Sequence, residues 1–378
     1  MLERGPRSEI LQRIDSKGPI TFAEFMEVAL YSDDGGYYTS CEGIWGESGD
    51  YITSIDVSPV FSRVLAVAVT EMWEKLGSPG DFVLLEAGAG RGFLSTGVLS
   101  ALEVITPELY DVISVELVEK NANLRQAASD KVLWRDELPG PGSIKKGVII
   151  SNELIDSFPF HRVSFDGRAV SEIYVGRDGD ELIDTEGPLS REDIGRYLEE
   201  TGVEFIEGQR AEVNMMAGPW IKQAAAILKS GFVITIDYGL PVKELYGVDR
   251  MGGTLMCHYR HKSNFTPYER IGSQDITSHV DFTHLYRKGQ EAGLKLSGFT
   301  TQKNFLLGLG ILEELVDTGE MSVSDYEKVK YNRAIAGLIA PGGMGDIFKV
   351  LVQYKGGGTE GDAPVLKGFS FRDMSRYL

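Results

Sequence analysis

A buried strand that breaks into a glycine-rich turn is the feature that most constrains this chain. Residues 83–87 read VLLEA, and glycines follow at positions 88, 90 and 92. Only glycine readily adopts the positive φ angles and permits the close backbone approach that such a turn needs. Residues 93–102 fit a helix that begins at the turn. A strand, a glycine turn and a helix N-terminus in this order predict a ligand at the carboxyl edge of a parallel sheet.

The spacing of the glycines separates two classes of cofactor. A dinucleotide fingerprint requires a small residue at position 93, where this chain has Phe93. The pattern E-x-G-x-G-x-G, from Glu86 to Gly92, is instead typical of S-adenosylmethionine (SAM) methyltransferases. SAM carries a ribose diol that needs a carboxylate, and we predict that a second strand ends at Glu116 to supply it. An ordinary strand-to-helix turn is the alternative for the glycine loop alone, but the loop together with Glu116 favours a nucleotide-type cofactor.

Length, composition and charge limit the class of protein and the kinds of partner that we expect. The 378 residues suit two average domains or one α/β domain with insertions. No apolar run reaches the length of a membrane span and no signal peptide is evident, so we expect a cytoplasmic protein without membrane insertion. Cys41 and Cys257 are too few for a disulfide framework and are expected to be passive thiols. The net charge of −18 repels phosphate backbones, which argues against nucleic acid as a substrate. The same charge would attract a basic peptide, and the alternative is that it serves solubility alone.

Alternating strand and helix patterns predict a doubly wound α/β sheet. We expect seven strands, preceded by a helical and loop segment at 1–80 that includes helices at 22–30 and 59–76. The methyltransferase domain is expected to span 81–378, with lid insertions at about 158–210 and 240–290. The first insertion contains a predicted hairpin of 162–165 and 170–175. The seven expected strands are 82–86, 112–116, 131–134, 148–152, 232–237, 294–300 and 346–354.

Polar residues follow the fourth and fifth strands, where the methyl group of the cofactor is expected. Asn152, Glu153 and Asp156 come just past strand four, and Asp237 ends strand five. Methyl transfer is an in-line displacement, so the enzyme chiefly positions the nucleophile. A guanidinium acceptor needs paired carboxylates, which Glu153 and Asp156 would supply while Asn152 fixes an NH group. The alternative for Asn152 and Asp156 is that they cap the next helix.

The second insertion is rich in functional side chains, including Asp275 and His279. Either a pair of histidines there binds a metal or the side chains orient the acceptor or stabilise a lid. Because no pair has the i, i+4 spacing of a helical zinc motif, we predict no metal. Glu212, placed early in the helix before strand five, is a weaker candidate for contact with the acceptor.

Taken together, the motifs resemble those of the MidA-type methyltransferases over nearly the whole chain. In chain order the matching segments are GPITF (18–22), GYY (36–38), GDYITS (49–54), EAGAGRG (86–92), SNELIDSFP (151–159), IDYG (236–239), DIT (275–277), HVDF (279–282), GMG (343–345) and FKVL (348–351). One departure is Asp56, which stands where the family tends to have a glutamate within Pro-Glu-Ile-Ser.

The resemblance implies a Rossmann-like SAM methyltransferase with a protein arginine as acceptor, in a respiratory-complex subunit or another partner, and it leaves a homodimer open. Glu153, Asn152, Asp156 and Asp237 are the expected catalytic residues, and Glu212, Asp275 and His279 the expected substrate contacts. The expected cofactor residues are Thr53, Glu86, Gly88, Ala89, Gly90, Gly92, Glu116, Leu117, Asp136 and Asn152. The rival hypotheses are a small-molecule methyltransferase, an assembly chaperone that keeps the fold, and a nicotinamide oxidoreductase, which Phe93 disfavours.

Overall fold

The computed structural model describes residues 5–40, 59–315, 325–356 and 362–378. The helices are α1 (Pro6–Lys17), α2 (Phe22–Tyr31), α3 (Pro59–Lys75), α4 (Phe93–Ile105), α5 (Pro107–Val112), α6 (Glu192–Thr201), α7 (Ala217–Ile227), α8 (Val242–Leu245), α9 (Phe282–Glu291), α10 (Gln302–Gly308), α11 (Asp325–Ile339) and α12 (Met344–Ile347). The strands are β1 (Ile20–Thr21), β2 (Phe82–Ala87), β3 (Ile113–Val118), β4 (Val132–Arg135), β5 (Ile144–Asn152), β6 (His161–Phe165), β7 (Val170–Asp178), β8 (Glu181–Gly187), β9 (Arg210–Val213), β10 (Leu228–Leu240), β11 (Met256–Tyr259), β12 (Lys262–Asn264), β13 (Asp275–Thr277), β14 (Val280–Asp281), β15 (Lys295–Thr301) and β16 (Phe348–Lys355).

The described residues divide into two compact units. The sheet unit takes its residues from Thr53–Leu154, Trp220–Tyr238 and Leu285–Leu378. The insert unit takes its residues from Met1–Ile52, Ile155–Pro219 and Gly239–His284. The N-terminal segment and the two predicted insertions therefore contribute to the same unit.

The sheet unit is built on seven strands in the order β15-β16-β10-β5-β2-β3-β4. The five strands from β10 to β4 are mutually parallel. The last two strands of the chain, β15 and β16, are antiparallel to their neighbours. The predicted α/β sheet is confirmed with all seven expected strands, five of them mutually parallel, and the short strand β14 adds an eighth that pairs in parallel with the end of β10.

Apolar faces of helices and strands form the core of the sheet unit. Phe61 and Val64 of α3, Val98 of α4, and Val148 and Ile150 of β5 belong to one buried cluster. The parallel strands are apolar on nearly every residue, as expected for strands that are covered on both faces. This rigid layer fixes the carboxyl ends of β2, β3 and β5, which is where the candidate cofactor residues lie.

The insert unit contains two smaller sheets. Strands β1, β7, β6 and β9 pair in that order, and β8 also pairs with β7. Strands β12, β11 and β13 form the second sheet. The hairpin predicted at 162–175 is present as β6 and β7. Residues Gly239 and Leu240, at the end of β10, pair in parallel with β14.

Helix α2 begins where the sequence predicts it, at a capping box. The side chain of Thr21 accepts a hydrogen bond from the backbone N–H of Glu24, whose carboxylate accepts one from the backbone of Thr21. This capping box satisfies two donors that a helix N-terminus otherwise leaves unpaired. The apolar side of α2 buries Phe22 and Phe25, and Phe22 stacks on Phe160 at a ring separation of 5.4 Å.

Candidate active site

The glycine turn after β2 has the geometry that its sequence predicts. Gly88, Gly90 and Gly92 have φ angles of 69°, 52° and 78°, and α4 begins directly afterwards. A Cβ atom on Gly88 would lie 2.8 Å from Leu154 Cδ1, and one on Gly92 would lie 2.6 Å from Leu117 Cδ1. Both the backbone angles and the surrounding side chains therefore require glycine.

The turn is anchored to the neighbouring strand by its backbone. The N–H groups of Gly88 and Ala89 both donate to the carbonyl oxygen of Val118, each at 3.0 Å. Leu117, one residue earlier in β3, is fully buried and packs beneath Gly92. Ala89 and Leu117 thus support the turn, and the ends of β2 and β3 are held side by side.

Glu86 is a buried carboxyl group beside the turn. Only 3% of the residue is exposed, and its Oε2 accepts a hydrogen bond of 3.1 Å from the backbone N–H of Ser95, in the first turn of α4. Burial raises the pKa of Glu86 from its ordinary value of 4.5 to about 7. Hydrogen bonding to Ser95 opposes that rise, and the negative charge of Glu119 adds to it. The charge of Glu86 therefore responds to pH near neutrality.

The predicted end of the second strand at Glu116 is wrong. Strand β3 continues to Val118, so Glu116 lies within the strand. Its carboxylate pairs with the guanidinium of Arg135 on β4 at 2.6 Å. The two apolar residues that follow Glu116 keep the chain in the sheet, and this signal was present in the sequence.

Glu119 is the first residue past β3, and the sequence motifs did not single it out. Its carboxylate accepts hydrogen bonds from the backbone N–H of Gly90 at 3.0 Å and of Asn121 at 2.9 Å. Glu119 is thus the carboxylate at the strand end, in contact with the glycine turn. Asp136, just past β4, has a side chain that is 79% exposed and that pairs with Arg125.

The end of β5 brings Asn152 and Glu153 together. The side-chain amide of Asn152 donates a hydrogen bond of 3.1 Å to Glu153 Oε1. Asn152 is 9% exposed, and among the described residues its buried Oδ1 has no hydrogen-bond partner. A buried acceptor without a partner costs free energy, so a ligand that donates a hydrogen bond to this oxygen would recover that cost.

Glu153 has a backbone conformation that is unfavourable for its residue type. Its φ angle is +51°, in the left-handed region where a side chain costs about 1–2 kcal/mol. The N–H of Glu153 donates to the carbonyl oxygen of Ile236 on β10 at 3.0 Å, which holds the residue in place. Strained residues of this kind concentrate at functional sites.

Asp237 lies inside a strand rather than at its end. Strand β10 runs on to Leu240, and Asp237 is opposite Lys349 of β16 in the antiparallel register. The carboxylate of Asp237 accepts a hydrogen bond of 2.8 Å from the N–H of Tyr238 and is buried. The predicted polar tip at Asp237 is therefore wrong, because β16 pairs with β10 as far as Tyr238 and β14 pairs with its last two residues.

Two of the predicted substrate contacts, Glu212 and His279, share a neighbour in the insert unit. Glu212 is not in a helix as predicted but in β9, where its Oε2 accepts from Thr254 N–H at 2.6 Å and from Thr254 Oγ1 at 3.0 Å. Burial raises the pKa of Glu212. The backbone N–H of His279 donates to the same Thr254 Oγ1 at 3.0 Å. The structure thus brings Glu212 and His279 together.

Asp275 and Asp156 are both buried in the insert unit. Tyr38 donates a hydrogen bond of 2.8 Å to Asp275 Oδ1, and the backbone carbonyl of Asp156 accepts one of 3.1 Å from Ser278. Burial, followed by the charge of Asp275, raises the pKa of Tyr38 well above its usual range. Tyr38 therefore remains a protonated donor.

Three predictions remain: that the protein binds no metal, that it does not insert into a membrane, and that Thr53 contacts the cofactor. Within residues 5–40, 59–315, 325–356 and 362–378, no group of three or more His, Cys, Asp or Glu side chains is arranged to hold a metal ion. No helix in these described ranges is long and apolar enough to cross a membrane. Thr53 and Asp56 lie outside the described residues.

The strand order, the glycine turn after β2 and the carboxylate past β3 define a Rossmann-like SAM-dependent methyltransferase, and comparisons with known proteins agree. Residues 64–300 match the model of Methyltransf_28, a family of S-adenosyl-L-methionine-dependent methyltransferases. The chain belongs to this family, whose MidA-type members the sequence motifs resemble.

Individual relatives support the same assignment. A Burkholderia thailandensis protein, whose crystal structure contains bound S-adenosyl-homocysteine, has a TM-score of 0.86 and 30% identity, and the match covers 99% of this chain and 96% of that one. The mitochondrial protein arginine methyltransferase NDUFAF7 of Mus musculus is 28% identical over 90% of this chain and 82% of its own length. Its homologue from Drosophila melanogaster is 24% identical over 92% and 84%.

Proposed function

We propose that this SAM-dependent methyltransferase methylates a guanidinium nitrogen of an arginine side chain in a partner protein. The observation that carries the proposal is the Asn152–Glu153 pair at the end of β5. There the carboxylate of a residue with a strained backbone lies beside the buried side-chain oxygen of Asn152, which has no partner in the described chain. Two acceptors of this kind match the N–H groups of a guanidinium. The names of the relatives, protein arginine methyltransferases, point to the same acceptor.

The described residues fit the cofactor. Glycines at 88, 90 and 92 give the turn positive φ angles, with which its backbone can approach a ligand closely. We assign the ribose diol to Glu119 instead of Glu116, because Glu119 lies past the strand end and Glu116 is paired with Arg135. Glu86, a carboxyl group beside the N-terminus of α4, suits the cationic amino group of the methionyl part.

The chain's own residues would position the acceptor and manage its charge. When bound, SAM supplies an electrophilic methyl group on a sulfonium sulfur. Asn152 Oδ1 and the carboxylate of Glu153 would accept N–H bonds from the guanidinium and aim one nitrogen. The nitrogen that gains a methyl group must lose a proton, and we assign Glu153 to receive it. Positioning and acid–base assistance of this kind are the main contributions an enzyme makes to such a transfer.

Acidic surface on the insert unit supports a basic protein partner. A cavity of about 390 Å³ between α1 and α2 is lined by four carboxylate residues, Glu9, Glu27, Asp33 and Asp34. Arg13, a basic residue in the same lining, pairs with Glu9 at 2.6 Å. Together with the net charge of −18, this surface favours arginine-bearing protein segments over nucleic acid. The cytoplasmic location, the homodimer and a respiratory-complex subunit as substrate remain predictions, and the two NDUFAF7 relatives are named as mitochondrial proteins.

The test separates cofactor binding from transfer. Glu153→Gln keeps the size of the side chain and one hydrogen-bond acceptor, so we expect unchanged affinity for S-adenosylhomocysteine in calorimetry. Transfer of labelled methyl groups from SAM to proteins in a cell extract should fall by about a hundredfold or more. Glu103→Gln, an exposed change on α4, is the matched control and should behave as wild type.

Four results would contradict the proposal. Wild-type transfer by Glu153→Gln would remove Glu153 from the reaction. Loss of S-adenosylhomocysteine binding in the same variant would place Glu153 in the cofactor site instead. If the wild-type enzyme transfers label only to small molecules, the acceptor is a small molecule. If it transfers no label at all, the result favours a non-enzymatic assembly chaperone.

A further inference from the structure

Arg125 links the ends of two neighbouring strands in the sheet unit. Its Nη2 donates a hydrogen bond of 2.5 Å to the carbonyl oxygen of Glu119, just past β3. The same nitrogen lies 3.3 Å from the carbonyl oxygen of Arg135, at the end of β4, and bonds the carboxylate of Asp136. One guanidinium thus holds three acceptors from the carboxyl ends of β3 and β4.

The environment of Arg125 distinguishes it from an ordinary surface ion pair. Its side chain is only 18% exposed, and its guanidinium lies 5.7 Å from the ring centre of Trp134. The indole N–H of Trp134 donates in turn to the carbonyl oxygen of Ala127 at 2.9 Å. Charged hydrogen bonds in a partly buried setting are stronger than exposed ones, so these contacts restrain the segment from Glu119 to Ala127.

That segment meets the glycine turn at both of its ends. The carboxylate of Glu119 accepts a hydrogen bond from Gly90, and the N–H of Ala127 donates to the carbonyl oxygen of Arg91 at 3.0 Å. Ala127 also packs where a Cβ on Gly92 would lie, at 2.8 Å. Any loosening of the segment therefore reaches the glycine turn directly.

We propose that Arg125 is a positioning residue for cofactor binding, which holds the Glu119–Ala127 segment and the end of β4 in the conformation that the glycine turn requires. Without Arg125 the segment would sample other conformations, and the cofactor would have to order it on binding, at a cost in affinity. The inference rests on the SAM dependence of the protein and is independent of the proposed arginine acceptor.

The experiment compares Arg125→Ala with Arg135→Ala. Arg135 also joins β3 to β4, through its ion pair with Glu116, but among the described residues its side chain makes no hydrogen bond to the Glu119–Ala127 segment. For Arg125→Ala we expect the Kd for S-adenosylhomocysteine, measured by calorimetry, to rise about tenfold, the change that one lost charged hydrogen bond produces. Arg135→Ala should keep the wild-type Kd.

Measurements of KM, kcat and the unfolding midpoint distinguish a positioning role of Arg125 from a general loss of stability. For Arg125→Ala we expect a higher KM for SAM with kcat nearly unchanged at saturating SAM, and an unfolding midpoint without ligand close to that of Arg135→Ala. Should the alanine variant fail to fold, Arg125→Met keeps contact with Trp134 but removes the donors, and the same rise in Kd is expected. A wild-type Kd in the folded variant, an equal loss in Arg135→Ala, or a fall in kcat without a change in KM would overturn the proposal.

Discussion

The buried carboxyl group of Glu86 makes a quantitative prediction about the variant Glu86→Gln. Glutamine has nearly the same shape and keeps an oxygen that can accept the hydrogen bond from Ser95 N–H, which is 3.1 Å long in the wild type. The substitution removes the ionisable group and leaves the packing intact. We therefore expect its effect on stability to depend on pH.

The magnitude follows from the pKa. Burial raises the pKa of Glu86 from 4.5 to about 7 in the folded protein, so folding favours the protonated form. The stabilisation linked to this proton is fully present below the unfolded-state pKa and is lost as the pH rises through about 7. At about 1.4 kcal/mol per pH unit of difference, the total is about 3 kcal/mol, most of it lost between pH 5 and pH 8.

Denaturant unfolding at several pH values measures this effect. Trp73, Trp134 and Trp220, three of the four tryptophans, lie in the sheet unit, so tryptophan fluorescence reports mainly on the unit that contains Glu86. Relative to wild type, Glu86→Gln should gain about 2–3 kcal/mol in free energy of unfolding between pH 5 and pH 8. A difference between the two proteins that is independent of pH would refute the reasoning.

Four other substitutions test the remaining parts of the site. Glu119→Gln should raise the Kd for S-adenosylhomocysteine about tenfold or more, whereas Glu116→Gln should leave the Kd unchanged. The opposite result would assign the ribose contact to Glu116. Gly92→Ala should destabilise the protein by about 1–3 kcal/mol, measured by denaturant unfolding, because its Cβ would lie 2.8 Å from Ala127 Cβ; a neutral effect would contradict the packing. Glu153→Gly should abolish transfer yet raise the unfolding free energy by about 1 kcal/mol, and a loss of stability would argue against backbone strain.

Much of the sheet, and the start of helix α2, could be predicted because their signals are local. The apolar strands, the glycines at alternate positions and the capping box at Thr21 all act within a few residues, and each appears where expected. Strand ends were less predictable, since Glu116 and Asp237 are polar residues inside strands. Their neighbours in the sheet, Arg135 and Lys349, come from distant parts of the chain.

The parts of the site that depend on distant contacts did not follow from the sequence. Glu119 gains its significance from the N–H of Gly90, 29 residues away. Arg125 does so from acceptors at 119, 135 and 136. Glu212 was expected in a helix, but pairing with β6 makes its segment a strand. A sequence pattern within one segment carries no information about hydrogen-bond or strand partners that lie in other segments.

The most direct test of the central claim is the identity of the methylated residue. Proteins from a cell extract would be labelled with methyl-labelled SAM and the purified enzyme, then hydrolysed to amino acids and separated. The account predicts label in methylarginine, absent when Glu153→Gln replaces the wild type. Label in another amino acid, or none in protein while small molecules are labelled, would contradict it.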